Sequence, residues 1–167
     1  MATATLRPDG AGAETNWTPN TGANCAAVDE ASNDGDTTYI ATSSTSLHND
    51  LYTIGTDAAL TSAVINSVAV YFSCKYVQTG SGPSPAAPVV YALNRHGTTT
   101  TIAGSGTTTG TSYAGGSFTW TTNPATSAAW TKADIDDLQI GIRSQTTQSS
   151  RTRTARVTQV WAVVDYT

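Results

Sequence analysis

The chain has 167 residues, of which 38% are hydrophobic and 12% charged, and it carries a formal net charge of −4. Its length suits one domain with a core of its own, and its pI of about 4.8 leaves no basic face to bind a phosphate backbone. These values argue against a nucleic-acid-binding protein, and the absence of an uncharged apolar run of roughly 20 residues argues against a transmembrane helix.

The first 24 residues are rich in Gly, Ala and Thr, and they contain no basic segment followed by an apolar one. We therefore expect no secretory signal, synthesis in a cytosol and release by lysis. We predict an N-terminal arm over residues 1–24 and a β-sandwich domain over residues 25–167. An arm of this composition becomes ordered when it contacts a partner. Its candidate partner-binding residues are Leu6, Arg7 and Trp17.

An acidic run follows the predicted arm. Oxygen ligands at alternate positions around a Gly suit Ca²⁺, so Asp29, Asp34 and Asp36 form a candidate metal site. The run lacks the full spacing of an EF-hand, and a solvated turn with local Asx hydrogen bonds explains it as well. No other cofactor is indicated. Cys25 and Cys74 permit either one disulfide or two free thiols.

Neutral hydroxyl side chains replace much of the usual charge, since the sequence contains 32 Thr and 16 Ser but only two Lys and two Glu. Good helix formers are scarce, whereas Thr, Val, Tyr and Trp favour a pleated strand. Short β-type runs separated by turn residues predict a single-domain, all-β antiparallel sandwich. The predicted strands are residues 4–7, 26–28, 37–41, 51–54, 65–77, 89–94, 98–102, 117–121, 139–143 and 153–165.

Two strands and one helix have the clearest patterns. Residues 65–77 alternate between an apolar and a more polar face, and residues 153–165 are apolar on both faces, which predicts a central, covered strand. One short helix is predicted at residues 131–138, because Thr131 and Asp134 have the spacing of a capping box.

The sequence supplies little for catalysis. His48 and His96 lie in segments rich in turn residues, and no nucleophile motif accompanies either of them. Glu14 and Glu30 lie in Gly-, Ala- and Asn-rich surroundings, with no apolar pocket that would raise a carboxyl pKa. We therefore expect a protein that is not an enzyme.

Exposed aromatic rings would indicate a sugar-binding module, and Trp17 and Trp120 are the candidates for such a platform. A sandwich of this size also needs aromatic side chains in its core. We assign Trp161, in the predicted central strand, to that core.

Seven short motifs lie along the chain: ATLRPDG at 4–10, VDE at 28–30, DTTY at 36–39, FTWTTNP at 118–124, AWT at 129–131, DIDDLQIGI at 134–142 and RVTQVWAVVDY at 156–166. With them the chain resembles a group of small virion proteins of tailed bacteriophages over nearly its whole length. The resemblance implies a jelly-roll-like sandwich on a virus particle, as a capsid decoration, head fibre or tail-surface component. It implies no catalytic residues, because the matched positions are core and turn residues.

We accordingly predict a capsid decoration protein on the outer surface of a tailed phage. It would bind the lattice of the major capsid protein and self-associate, with a homotrimer as the expected assembly. Two other functions stay open at this point. A glycan-binding module or tail component in host attachment would be retained on a polysaccharide, and a self-assembling extracellular filament subunit would polymerise when purified.

Overall fold

The computed structural model describes all of residues 1–167, and nearly all of its regular elements are β-strands. In chain order the strands are β1 (Ala2–Leu6), β2 (Pro8–Thr15), β3 (Thr18–Pro19), β4 (Ile40–Thr42), β5 (His48–Ile54), β6 (Ile65–Gly80), β7 (Val89–His96), β8 (Thr99–Ile102), β9 (Thr107–Thr108), β10 (Ala114–Trp120), β11 (Gln139–Gln145) and β12 (Arg151–Tyr166). One α-helix, α1 (Lys132–Asp136), and two 3₁₀ turns, Cys25–Ala27 and Ala58–Leu60, complete the elements. None of these helices has the length and hydropathy to cross a membrane.

The strands form two antiparallel sheets packed face to face. Sheet A has the order β10-β6-β12-β4-β3, and β1 also pairs with β12. Sheet B has the order β2-β5-β11-β7-β8, and β9 also pairs with β7. The predicted all-β antiparallel sandwich is confirmed.

The eight main strands have the order of a jelly roll. When β2, β3, β4 and β9 are set aside, the others pair as β1-β12-β6-β10 in sheet A and as β5-β11-β7-β8 in sheet B. Numbered along the chain, these eight strands have the orders 1-8-3-6 and 2-7-4-5, which is the double Greek key of a jelly roll.

One core fills the space between the sheets. A single cluster of 28 buried residues includes Val68, Val70, Phe72 and Cys74, the inward face of β6 that alternation predicts. Such a continuous apolar cluster, removed from water, is the main stabilising contribution to the fold. One core of this kind means one domain.

Residues 1–24 do not form a separate arm, so that prediction is corrected. β1 pairs with β12, β2 with β5 and β3 with β4, which places the segment in both sheets. The small residues that suggested flexibility have a packing function here. A Cβ at Gly10 or Gly12 would lie within 2.7 Å of Thr53 or Leu51 on β5, closer than real contacts allow.

The remaining local predictions have mixed outcomes. The capping box at the start of α1 is confirmed, because the Asp134 backbone N–H donates to Thr131 Oγ1 and the Thr131 N–H donates to Asp134 Oδ2. Residues 26–28 were predicted as a strand, but the chain forms the 3₁₀ turn Cys25–Ala27 there. Both cysteines are free thiols, and burial raises the pKa of Cys74 to about 12.

Candidate functional site

The three predicted partner-binding residues do not meet at the surface. Leu6 and Trp17 are only 5% and 3% exposed and belong to the core. The Trp17 indole donates to the backbone carbonyl of His48 at 3.1 Å. Arg7 reaches the surface, where its guanidinium donates to the Glu30 carbonyl and lies 5.8 Å from the centre of the Trp161 ring. Leu6 and Trp17 are therefore unavailable to a partner in the folded chain.

The aromatic platform expected for a sugar is absent, because Trp17 and Trp120 are both buried. Trp161, which we assigned to the core, instead lies half-buried on the outer face of sheet A, where it stacks on Tyr71 with ring centres 5.3 Å apart. A β-bulge between Val157 and Gln159 places Trp161 on this outer face. The extra residue reverses the alternation, so that Val160, and not Trp161, points into the core.

The acidic run forms a strap, residues 29–39, across the outer face of sheet A. Asn33 Nδ2 donates to Ser73 Oγ at 3.0 Å, and the Thr158 hydroxyl donates to Asp34 Oδ1 at 2.8 Å. Gln159 Nε2 donates to the Glu30 carbonyl at 2.9 Å. These contacts bury polar residues of β6 and β12, including Thr158 at 0% exposure. β12 is central in sheet A, as predicted, but its outer face is covered only beneath the strap, since Trp161 and Val163 are partly exposed.

The strap's carboxylates do not converge on a metal site. Asp36 accepts from Lys75 Nζ at 2.5 Å, from Arg156 Nη1 at 3.0 Å and from the Tyr113 hydroxyl at 3.1 Å. The Lys75 hydrogen bond is the main cause of a lowered pKa at Asp36. Asp29 is exposed, and no three His, Cys, Asp or Glu side chains are grouped to hold a metal ion. The predicted Ca²⁺ ligands Asp29, Asp34 and Asp36 thus have separate surroundings.

Each histidine holds a connection in place. His96 Nε2 lies 3.1 Å from Asp134 Oδ1, which ties the end of β7 to α1. The His48 ring lies between two hydroxyls, with Nε2 at 3.1 Å from Ser44 Oγ and Nδ1 at 3.5 Å from Thr42 Oγ1. Ser44 Oγ also accepts from the Ser46 N–H at 3.1 Å. No carboxylate orients the His48 imidazole in these contacts, so they fit a fixed turn better than an activated nucleophile.

Asp50 is the one fully buried carboxylate, and the sequence analysis did not select it. It accepts from the Tyr52 hydroxyl at 2.6 Å, from Asn24 Nδ2 at 2.8 Å and from the Trp17 backbone N–H at 3.2 Å. Burial raises its pKa, against the opposing effect of these donors. The signal in the sequence is a charged residue two positions before Tyr52, on the same inward face of β5.

Two concave surfaces remain as candidates for binding. The first, which we call the polar cleft, has a volume of about 400 Å³ and is lined by Asn16, Thr18, Ala41, Thr42, Ser43, Ser44, His48 and Thr154. The second, the apolar groove, has a volume of about 300 Å³ and is lined by Leu47, Ala86, Ala87, Val89, Tyr91, Gln145 and Thr147. Neither surface was predicted, because each combines residues from distant parts of the chain.

No protein-family model matches the chain, and no curated protein matches it. Three features of the molecule bear on its function: the strand order, the composition of the surface and these two concave surfaces. Both are open to solvent, and neither lining contains a carboxylate, Lys or Arg; the one titratable side chain in the polar cleft is His48, which contacts the Ser44 hydroxyl.

Proposed function

We propose that this protein is a non-enzymatic structural component of a virion surface and that it decorates the capsid of a tailed bacteriophage. The observation that carries the proposal is the jelly-roll strand order, an architecture that recurs in viral capsid and lectin domains. A fold by itself does not determine function. The second support is the resemblance of the motifs at 118–142 and 156–166 to small phage virion proteins.

The composition of the chain also suits this role. With only eight cationic and 12 acidic side chains, the hydration of the surface depends largely on hydroxyl groups. A net charge of −4 keeps free subunits apart in the host cytoplasm before they reach the particle. Stable attachment must then come from apolar and backbone contacts with the lattice of the major capsid protein, assisted by association into a homotrimer.

The apolar groove is the surface that we assign to this attachment, in place of the N-terminal arm. Leu47 is 56% exposed beside the groove, an unusual position for a large aliphatic side chain in a protein with so few of them exposed. Ala86, Val89 and Tyr91 extend the apolar lining. Covering these side chains with a capsid subunit removes apolar surface from water and stabilises the complex.

Mass spectrometry of purified particles tests the role directly. We expect between about one copy per three major capsid subunits and about one copy per subunit, as a symmetric surface lattice requires. A handful of copies per particle would contradict decoration and place the protein on the tail or a fibre. Its absence from particles would overturn the virion proposal as a whole.

The attachment surface has its own test. Leu47→Asp places a charge at the apolar groove, and we expect it to weaken binding to undecorated particles at least tenfold, since a buried unpaired carboxylate is strongly disfavoured. Val64→Asp is the matched control, because Val64 is 67% exposed and lies outside the groove. Co-sedimentation with particles measures both variants, and equal retention of the two would exclude the groove as the contact.

A further inference from the structure

We propose that the polar cleft is a binding site for a neutral saccharide. The cleft lies beside the edge of sheet A, where the chain crosses to sheet B. Thr18 of β3, Ala41 of β4 and Thr154 of β12 contribute from sheet A, and the connection that includes Ser43 and Ser44 leads to His48 of β5. This site is separate from the Trp17 and Trp120 platform considered from the sequence, and it does not depend on the virion proposal.

The first support is unused hydrogen-bonding capacity. Asn16, Thr18, Ser43 and Thr154 all line the cleft, and the side chain of none of them makes a hydrogen bond within the protein. Three hydroxyls and one carboxamide can each both donate and accept. Four such groups around one concavity match a ligand that itself carries several hydroxyls.

The second support is that hydrogen bonds within the protein already hold one side of the cleft in place. Thr42 Oγ1 accepts from the Ser44 backbone N–H at 3.2 Å. The hydroxyls of Thr42 and Ser44 both contact the His48 ring. The hydroxyl of Thr146 donates to the backbone carbonyl of Ser44 at 2.9 Å, which holds the crossing connection from its other side. A ligand therefore meets a preformed surface, and little ordering entropy opposes its binding.

The chemistry of the lining selects the class of ligand. It contains no Lys, Arg, Asp or Glu, and its one titratable side chain, His48, already contacts the hydroxyls of Thr42 and Ser44, so a phosphate or carboxylate ligand finds no permanent countercharge. Its one hydrophobic residue is Ala41, so an apolar ligand gains little. A volume of about 400 Å³ lies at the lower end of the range for ligand sites. A short stretch of an uncharged glycan satisfies all three conditions.

Saturation-transfer NMR on the full chain is the experiment. The probes are the methyl glycosides of glucose, galactose and mannose, together with N-acetylglucosamine, at millimolar concentration, with glucose 6-phosphate as a charged counterpart. We expect saturation transfer to at least one neutral sugar and weaker transfer to the phosphate. Absence of transfer to every neutral sugar in this panel would overturn the proposal.

Matched Thr→Val substitutions locate the site, because Val keeps the shape and the strand preference of Thr and removes only the hydroxyl. We expect Thr18→Val and Thr154→Val each to raise the dissociation constant about fivefold, the effect of one neutral hydrogen bond. Thr119→Val, on the exposed edge strand β10, is the control and should leave the constant unchanged. Unchanged affinity in the Thr18→Val/Thr154→Val double variant, with circular dichroism showing a native fold, would place the sugar elsewhere and refute the assignment. Copy number on particles has no bearing on this result.

Discussion

Gly141→Ala is expected to lower the free energy of unfolding by about 3 kcal/mol or more, a large fraction of the roughly 5–15 kcal/mol that stabilises a typical domain. Gly141 lies in β11, between β5 and β7, directly opposite Leu51 and Leu93. A Cβ at this position would lie 1.9 Å from the Asp50 carbonyl oxygen and 3.0 Å from the Leu51 Cα. Both are backbone atoms of a paired strand, so they can move only if the ladder between β5 and β11 opens.

Gly115→Ala is the matched control for this substitution. Gly115 also lies in a strand, β10, but a Cβ there would have no heavy atom within 4 Å. We expect Gly115→Ala to stabilise the protein by up to about 1 kcal/mol, because Ala restricts the unfolded chain more than Gly does. Urea denaturation compares the two variants, and similar midpoints would show that sheet B has room at Gly141.

Asp50→Asn is expected to lower the free energy of unfolding by about 2 kcal/mol at acidic pH, and by less at neutral pH. Both oxygens of the Asp50 carboxyl group can accept hydrogen bonds whether or not the group is protonated, whereas the NH₂ group of Asn can only donate, so at least one of the donors Tyr52, Asn24 and Trp17 loses its partner. The pH dependence follows from the raised pKa of Asp50. Above the ordinary value of 3.8, the folded chain holds this proton more tightly than the unfolded chain. The unfolding free energy of the wild type therefore decreases as pH rises from 3.8 through the raised pKa of Asp50. The difference in unfolding free energy between wild type and variant becomes smaller over the same range.

Asp36→Asn is a control for which we expect the opposite pH dependence of stability. The pKa of Asp36 is lowered, chiefly by the hydrogen bond from Lys75. The contribution of the Asp36 carboxylate to stability is therefore present above the ordinary pKa of 3.8 and is lost as pH falls through the lowered pKa of the folded chain. The side chain is 47% exposed, so we expect less than about 1 kcal/mol and a decrease with added salt. Urea denaturation from pH 3 to pH 7 measures the loss of unfolding free energy in each variant relative to wild type. With rising pH this loss should decrease for Asp50→Asn and increase for Asp36→Asn, and changes of the same sign would contradict the buried state of Asp50.

Two predictions that depended on local pattern agree with the structure. Alternation along residues 65–77 identified the inward face of β6, and the spacing of Thr131 and Asp134 identified the capping box of α1. Both signals lie within one element. Composition was enough for the all-β class, because scarce helix formers and abundant Thr leave few alternatives.

The errors arose where distant contacts override local pattern. One bulged residue in β12 places Trp161 on the outer face of sheet A, although we assigned it to the core, and no motif in the sequence marks that bulge. Residues 1–24 have the composition of a flexible segment but supply strands to both sheets. The polar cleft combines residues from Asn16 to Thr154, so their proximity depends on the strand order and not on their spacing.

The pairing of β1 with β12 brings the two ends of this chain together. Ala2 lies opposite Tyr166 in the ladder, and paired Cα atoms in antiparallel strands are about 5 Å apart. A linker of a few residues could therefore join the ends, and the chain could be reopened in the exposed connection between β6 and β7. A peptide fused to either end would emerge from the same end of the β1 and β12 strands in sheet A. The rest of the surface stays free, so the sandwich could carry attached cargo on one side.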